Sequence, residues 1–211
     1  MIVGAGSFSV DYLVYGLRQM ASNGSHVAGW GGARVNGAGV EVVRSVRPCL
    51  EDSALDEFRK VRSPLVVLHA RKASASSEEY THPFDINGYQ FFHNTWFNEG
   101  NYDPARLAEH VGKFLKPGEE EVSLARAYRE LKHIALANSV LVGPDKAVVV
   151  VRYDRNSKKA SPMAFSRDKL GVVVSSETLP GRKWSYLKDK AMFTVRPDGT
   201  CTYVTDFREL T

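Results

Sequence analysis

A chain of 211 residues, 43% hydrophobic and 25% charged, is long enough to bury a substantial core and has the composition of a globular domain. Its formal net charge of +4 is spread along the sequence without a basic block, which argues against a nucleic-acid partner. No apolar run approaches the roughly 20 residues that span a bilayer, and the first residues lack the basic start and apolar core of a signal peptide. The expectation is a cytoplasmic protein, one domain over residues 1–211, with no cofactor and no membrane association. Cys49 and Cys201 are the only cysteines and stand in no metal-like spacing. They are expected to be small apolar residues and not a disulfide.

Ile2 to Ala5 is a short apolar run around Gly4 and Gly6, which predicts a first strand. Ser9 can cap a helix in which Val10, Leu13, Val14, Leu17 and Met20 recur at helical spacing, and Asn23-Gly24 supplies its stop. Further on, the alternating runs Ala33 to Val35 and Val40 to Val43 flank Asn36-Gly37, a pair that tolerates the positive φ angles of a tight hairpin turn. Trp30 stands among glycines before that hairpin, either as a packed indole or as a pocket wall. Pro48 to Arg62 predicts a helix capped by Asp52, with Leu55, Phe58 and Val61 as its buried stripe.

The next stretch carries the most chemistry. An apolar strand from Leu65 delivers His69, Arg71 and Ser74 at its exit, and a serine-rich loop over 75–80 leads to Thr81-His82-Pro83-Phe84. A second apolar run from Tyr89 then delivers His93 and Asn94 at its own exit. Two neighbouring strands that end together in a polar crowd are how a rigid sheet positions a site. A fixed guanidinium beside a side-chain amide suits recognition of a carboxylate next to a polarised carbonyl.

Asn101 to Lys116 predicts a helix capped by Asp103, with Pro104 at its first position and Leu107, Val111, Phe114 and Leu115 on its apolar face. Pro117-Gly118 breaks it, and Glu119-Glu120-Glu121 opens another with Leu124, Tyr128, Leu131 and Ala135 as its stripe. The last third reads as strands: Ser139 to Val142, Ala147 to Tyr153, Met163 to Ser166, Leu170 to Ser176, Met192 to Val195 and Cys201 to Val204. Strands, two helices and strands again fit an α+β fold of two antiparallel sheets covered by helices.

The segments HARKAS (69–74), THPF (81–84) and FFHN (91–94), in this order and spacing, resemble the glutaminase domain of class II glutamine amidotransferases, a branch of the N-terminal nucleophile (Ntn) hydrolases. Gly29-Trp30-Gly31, the run from Val173 through Ser176-Glu177 to Trp184, and the closing Met192 to Gly199 extend the likeness along nearly the whole chain. The resemblance implies a four-layer αββα sandwich, hydrolysis of glutamine to glutamate and ammonia, and a separate synthase partner that accepts the ammonia. It leaves a homo-oligomer open. It assigns Arg71 to the glutamine α-carboxylate with Ser74 beside it, places His69, His82, Trp30 and Ser176 around the substrate, and gives Asn94 and the backbone of Thr95 to the oxyanion hole. For His69, His82 and His93 the alternative is a structural role at strand ends; no metal is expected.

Two departures bear on activity. The family's nucleophile is an N-terminal cysteine whose own α-amine serves as base, and alignment on Ile2-Val3-Gly4 places it one residue before Met1. The glycine that the family carries after the asparagine is here Thr95. No acid matches the residue that relatives use for the substrate ammonium; Glu119, Glu120 and Glu121 lie in that region but read more simply as a charged helix start. A catalytically inactive binding or regulatory module, a pseudoenzyme, is therefore the competing expectation.

Overall fold

Strand alternation sorts the chain into layers. In β1 (Ile2–Gly6), Val3 and Ala5 enter one apolar core while Ile2 enters another. A strand apolar on both faces has to be covered on both. The computed structural model describes residues 1–24, 26–73, 77–97, 104–158 and 160–210. After β1 come α1 (Val10–Gly24), β2 (Trp30–Asn36), β3 (Gly39–Ser45), α2 (Ser53–Lys60), β4 (Leu65–Ala70), β5 (Phe84–Ile86) and β6 (Tyr89–Phe97). Then follow α3 (Pro104–Gly112), α4 (Glu120–Glu130), β7 (Ile134–Val142), β8 (Ala147–Val150), β9 (Ala164–Asp168), β10 (Gly171–Ser175), β11 (Ser185–Tyr186), β12 (Met192–Val195), β13 (Cys201–Val204) and a final 3₁₀ turn, Phe207–Leu210.

The strands form two antiparallel sheets, one in the order β11-β9-β10-β1-β4-β2-β3 and one in the order β13-β12-β8-β7-β6-β5. Three apolar clusters separate the layers. Val3, Val67 and Val174 of the first sheet meet Phe92, Val140, Val149 and Phe193 of the second in the central core. Leu13 and Leu17 of α1 and Leu55 and Phe58 of α2 cover the other face of the first sheet at Ile2, Val66, Leu68 and Val173. Leu107 and Val111 of α3 and Leu124 and Tyr128 of α4 cover the second sheet at Phe91, Leu141, Val148 and Met192. The result is the expected αββα sandwich. No helix among the described residues is long and apolar enough to cross a membrane.

Several local expectations change in the folded chain. Asp52 does cap α2, its Oδ1 accepting from the Ala54 N–H at 3.0 Å, but the helix stops at Lys60. Val61 is extended and 45% exposed, so it leaves the buried stripe. Helix α4 stops at Glu130 and His133 takes a positive φ of 56°, which turns Ala135 into a residue of β7. In the β2–β3 hairpin the positive φ falls on Gly39, at 128°. Asn36 contributes its side chain instead, Oδ1 accepting from the Ala38 N–H at 2.9 Å. Cys49 and Cys201 are both free thiols. The Asp103 cap, Ser74 and part of the serine-rich loop lie outside the described residues.

Candidate functional site

The position of β1 builds the site. It lies between β10 and β4, with Ile2 opposite Ser175 on one side and Leu68 on the other. Whatever stands before Ile2 therefore emerges between the exits of both neighbours. The Ser176 N–H donates to the Met1 carbonyl at 3.0 Å and continues the ladder by one rung. On the β4 side, Leu65 and Val67 point into the central core, so the two-residue period carries His69 to the same face. Across the sandwich Phe92 points into that core from β6, and the same period aims Asn94 back at the first sheet. A cavity of about 260 Å³ opens where these ends meet, lined by Met1, His69, Arg71, Asn94, Ser176 and Glu177, with His26, Thr95 and Ser161 in its wall.

Arg71 is held by its backbone. Its N–H donates to the Gly29 carbonyl at 2.8 Å and its carbonyl accepts from the Ala28 N–H at 3.2 Å, which fixes the exit of β4 to the entry of β2. Partial burial lowers its pKa, yet a guanidinium stays charged. A cation partly stripped of water binds an anion more strongly than a fully hydrated one. Trp30, on the same entry, is fully buried; its Nε1–H donates to Asp52 Oδ2 at 2.9 Å and its ring stands edge-on to Phe58 at 6.1 Å. The structure keeps it in the outer core and does not bring it into the cavity.

Asn94 is exposed on the cavity wall, with its amide N–H available to a ligand. Its neighbour in register on β7 is Asn138, which is fully buried and donates from Nδ2 to the Ser161 carbonyl at 2.7 Å while Oδ1 accepts from the Arg152 N–H at 3.3 Å. That pair of bonds holds the segment that brings Ser161 to the cavity. Thr95 ties its Oγ1 to His93 Nδ1 at 2.9 Å.

In the same wall two imidazoles pack around a third, that of His82. The ring of His82 lies 4.3 Å from that of His69 and 4.5 Å from that of His93, centroid to centroid, and 4.8 Å from Phe84. His69 and His82 are 7% and 4% exposed, and His69 Nδ1 and both ring nitrogens of His82 have no hydrogen-bond partner. Burial is the main reason why both pKa values fall well below the ordinary 6.5, and the neighbouring imidazoles, Arg71 and the Met1 amine push the same way. Both rings are neutral at physiological pH as a result.

Five polar groups in the wall were not among the sequence candidates: the α-amine of Met1, His26, Lys72, Ser161 and Glu177. The Met1 amine is buried, 3.0 Å from Ser176 Oγ and 3.7 Å from Met20 Sδ. Burial pushes its pKa down to about 5, against the opposing charge of Glu177, so at pH 7 it is an unprotonated base. His26 Nδ1 lies 3.0 Å from the Met20 carbonyl; a carbonyl only accepts, so that nitrogen carries the proton and Nε2 keeps its lone pair. Glu177 is the one carboxylate in the cavity wall among the described residues. Its signal was available in the sequence, because Ser176-Glu177 follows an apolar strand as His69 and Arg71 do. A wider cleft of about 760 Å³ near the start of α1, lined by residues such as Ser7, Arg59 and Lys60, gathers none of the sequence candidates.

One small cavity thus collects two cations, Arg71 and Lys72, a carboxylate, an amide donor and an unprotonated amine, the groups that recognise a zwitterion and polarise a carbonyl. No family model and no curated protein matches the chain. Solved structures do. A glutamine aminotransferase class-II domain protein from Silicibacter pomeroyi superposes with a TM-score of 0.67 at 18% identity, over 98% of each chain. The glutamine phosphoribosylpyrophosphate amidotransferase of B. subtilis, complexed with ADP and GMP, gives 0.73 at 15% identity, over 98% of this chain and 49% of that one. The allosteric regulatory enzyme of purine biosynthesis gives 0.75 at 17% identity, over 98% and 48%. The chain has the fold of glutamine amidotransferase domains and spans about half the length of the latter two enzymes.

Proposed function

We propose that this chain is a glutaminase-type amidotransferase domain, one unit over 1–211, whose cavity takes free L-glutamine. The observation that carries the reading is the convergence of Arg71, Asn94 and Glu177 on one cavity at the start of β1. At about 260 Å³ the cavity lies just below the range of roughly 300–1,000 Å³ usual for ligand pockets, a size for an amino acid and not for a nucleotide. Arg71 pairs with the α-carboxylate, in which a planar guanidinium gives two parallel hydrogen bonds. Glu177 faces the α-ammonium. The Asn94 N–H donates to the side-chain carbonyl oxygen of the ligand.

Turnover on this geometry needs a thiol ahead of Met1. An added residue converts the Met1 amine into a peptide N–H and extends the chain into the cavity. The thiol gives its proton to the new α-amine and attacks the amide carbon as the thiolate. Asn94, with the backbone N–H of Thr95, stabilises the oxyanion; one such donor is typically worth about 3 kcal/mol in the transition state. Collapse expels ammonia, protonated from the same amine, and water then cleaves the thioester to release glutamate. The ammonia passes to a separate synthase-type acceptor.

A second reading, a glutamine-binding module without turnover, is favoured by the bond that holds Thr95 to His93 and by the burial of the Met1 side chain at 6% exposure. Two measurements separate the readings. Glutamine is titrated calorimetrically into a protein that begins at Met1 and into one with a single cysteine ahead of it, and ammonia release is followed from both. The enzymatic reading expects binding to both and ammonia above the buffer rate from the cysteine protein alone. Binding without ammonia from either protein selects the module, and no heat at millimolar glutamine sinks both readings.

A further inference from the structure

We propose that the His69–His82–His93 cluster is an acid-operated latch that holds the two sheets together at the mouth of the cavity and opens when His82 takes a proton. His82 belongs to the segment that crosses from the first sheet to β5, and it touches both sheets. Its ring packs on His69 of β4 and on His93 of β6, and on Phe84 of β5. Its carbonyl lies so close over β2 that a Cβ on Gly31 would stand 1.8 Å from the oxygen. Only a glycine backbone admits that approach. The crossing is therefore seated from both sides by contacts that hold only while it stays in place.

The seat is apolar in character but built of imidazoles, and it satisfies neither nitrogen of His82. A phenyl ring would fill the same space without that cost. What an imidazole adds is the ability to take a proton, and this site is arranged to punish one. The groups whose charge acts on His82 are His69, His93, Arg71 and the Met1 amine; on His69 they are the Met1 amine, His93, His26 and Arg71, and every one of them disfavours a proton. The carboxylates nearby sit elsewhere: Glu177 acts on the Met1 amine and His26, Asp85 of β5 binds the Gln90 side chain at 2.8 Å, and Glu78 and Glu79 are exposed ahead of the crossing.

The sign follows directly. These imidazoles hold a lower pKa in the closed form than in the open one, so closure is fully favoured above about 6.5, the ordinary histidine value, and weakens as pH falls below it. Each proton taken up on opening raises the opening equilibrium by up to tenfold per pH unit. Arg71 leaves β4 two residues after His69 and Asn94 follows His93 directly, so the latch controls the spacing of both, whatever ligand the cavity holds.

Hydrogen–deuterium exchange of the full chain between pH 7.5 and 5.5 tests this, read as protection factors so that the intrinsic pH dependence of exchange cancels. In the wild type, protection over residues 81–86 is expected to fall at least tenfold, while β12 and β8 keep theirs. In His82→Phe the fall over the same range should be several-fold smaller, since only His69 then remains to take a proton. Unchanged protection in the wild type, or an equal fall in His82→Phe, overturns the latch. Should that variant fail to fold by circular dichroism, the imidazole C–H resonances of the wild type decide. A His82 signal that stays neutral until protection is lost supports the proposal; one that titrates near pH 6.5 with protection intact refutes it.

Discussion

Two buried polar clusters, one against the second sheet near α4 and one between the two sheets at the cavity, are built on opposite principles. Near the start of α4, Glu120 is 4% exposed yet meets Lys146 at 2.8 Å, the Tyr89 hydroxyl at 2.5 Å and the Gly118 N–H at 2.7 Å. Lys146 also reaches Glu121, which accepts from Thr194. Both carboxylates there meet the one ammonium, Glu120 Oε2 by charge and not by a hydrogen bond, and the cluster joins α4 to β6, β12 and the β7–β8 turn. At the cavity, His69 and His82 are as deeply buried and leave three nitrogens unbonded. The difference separates a structural cluster from a working one. A polar network that only staples elements together pairs its charges, whereas uncharged groups left short of partners mark the place where a proton or a ligand completes the set.

Breaking the ion-paired cluster should cost most. Lys146→Met leaves Glu120 buried without its cation, and about 4 kcal/mol of stability is expected to disappear, read as a lower midpoint in denaturant unfolding. Next comes Gly31→Ala, in which the new methyl drives into the His82 carbonyl; about 3 kcal/mol is expected, together with weaker ligand binding as the crossing lifts. Trp30→Phe removes the donor to Asp52 and should cost about 2 kcal/mol. The smallest effect is expected where the side chain is just as buried but unpartnered: His82→Phe should change stability at pH 7.5 by no more than about 1 kcal/mol. Costs for Lys146→Met and His82→Phe that came out alike would erase the distinction between the clusters.

Acid separates them as well. Burial raises the Glu120 carboxyl, but the bonds from Lys146, Tyr89 and the Gly118 N–H outweigh it and hold the pKa down to about 2. A carboxyl with a depressed folded pKa contributes stability that is complete above its ordinary 4.5 and is lost as pH falls from there toward 2. The imidazole cluster weakens earlier, below about 6.5. Between pH 6.5 and 4.5 the cavity end should therefore loosen while the α4 end stays intact, a two-stage acid transition that residue-resolved exchange can follow.

The layers were legible because long elements carry their period plainly. Val10 to Met20 repeats at helical spacing, and Met192 to Val195 and Cys201 to Val204 are bounded by turn residues and form strands at those same bounds. What escaped was short or capped from afar: β5 and β11 have three and two residues, too few to show alternation, and Val61 looks apolar although its helix ends one residue earlier. In the site, Arg71 and Asn94 stood out because each leaves an apolar strand. Trp30 did not declare its direction, since the glycines around it hide which face of β2 is which. The Met1 amine, His26 and Glu177 come from distant parts of the chain. They meet only because β1 lies between β4 and β10, which no local pattern states.

The most direct test of the central claim is the heat of L-glutamine binding to the wild-type chain and to Arg71→Ala, with circular dichroism confirming that both are folded. Binding by the wild type that is lost in the variant is the predicted result. Equal heats from the two proteins, or none from the wild type at millimolar glutamine, would contradict it.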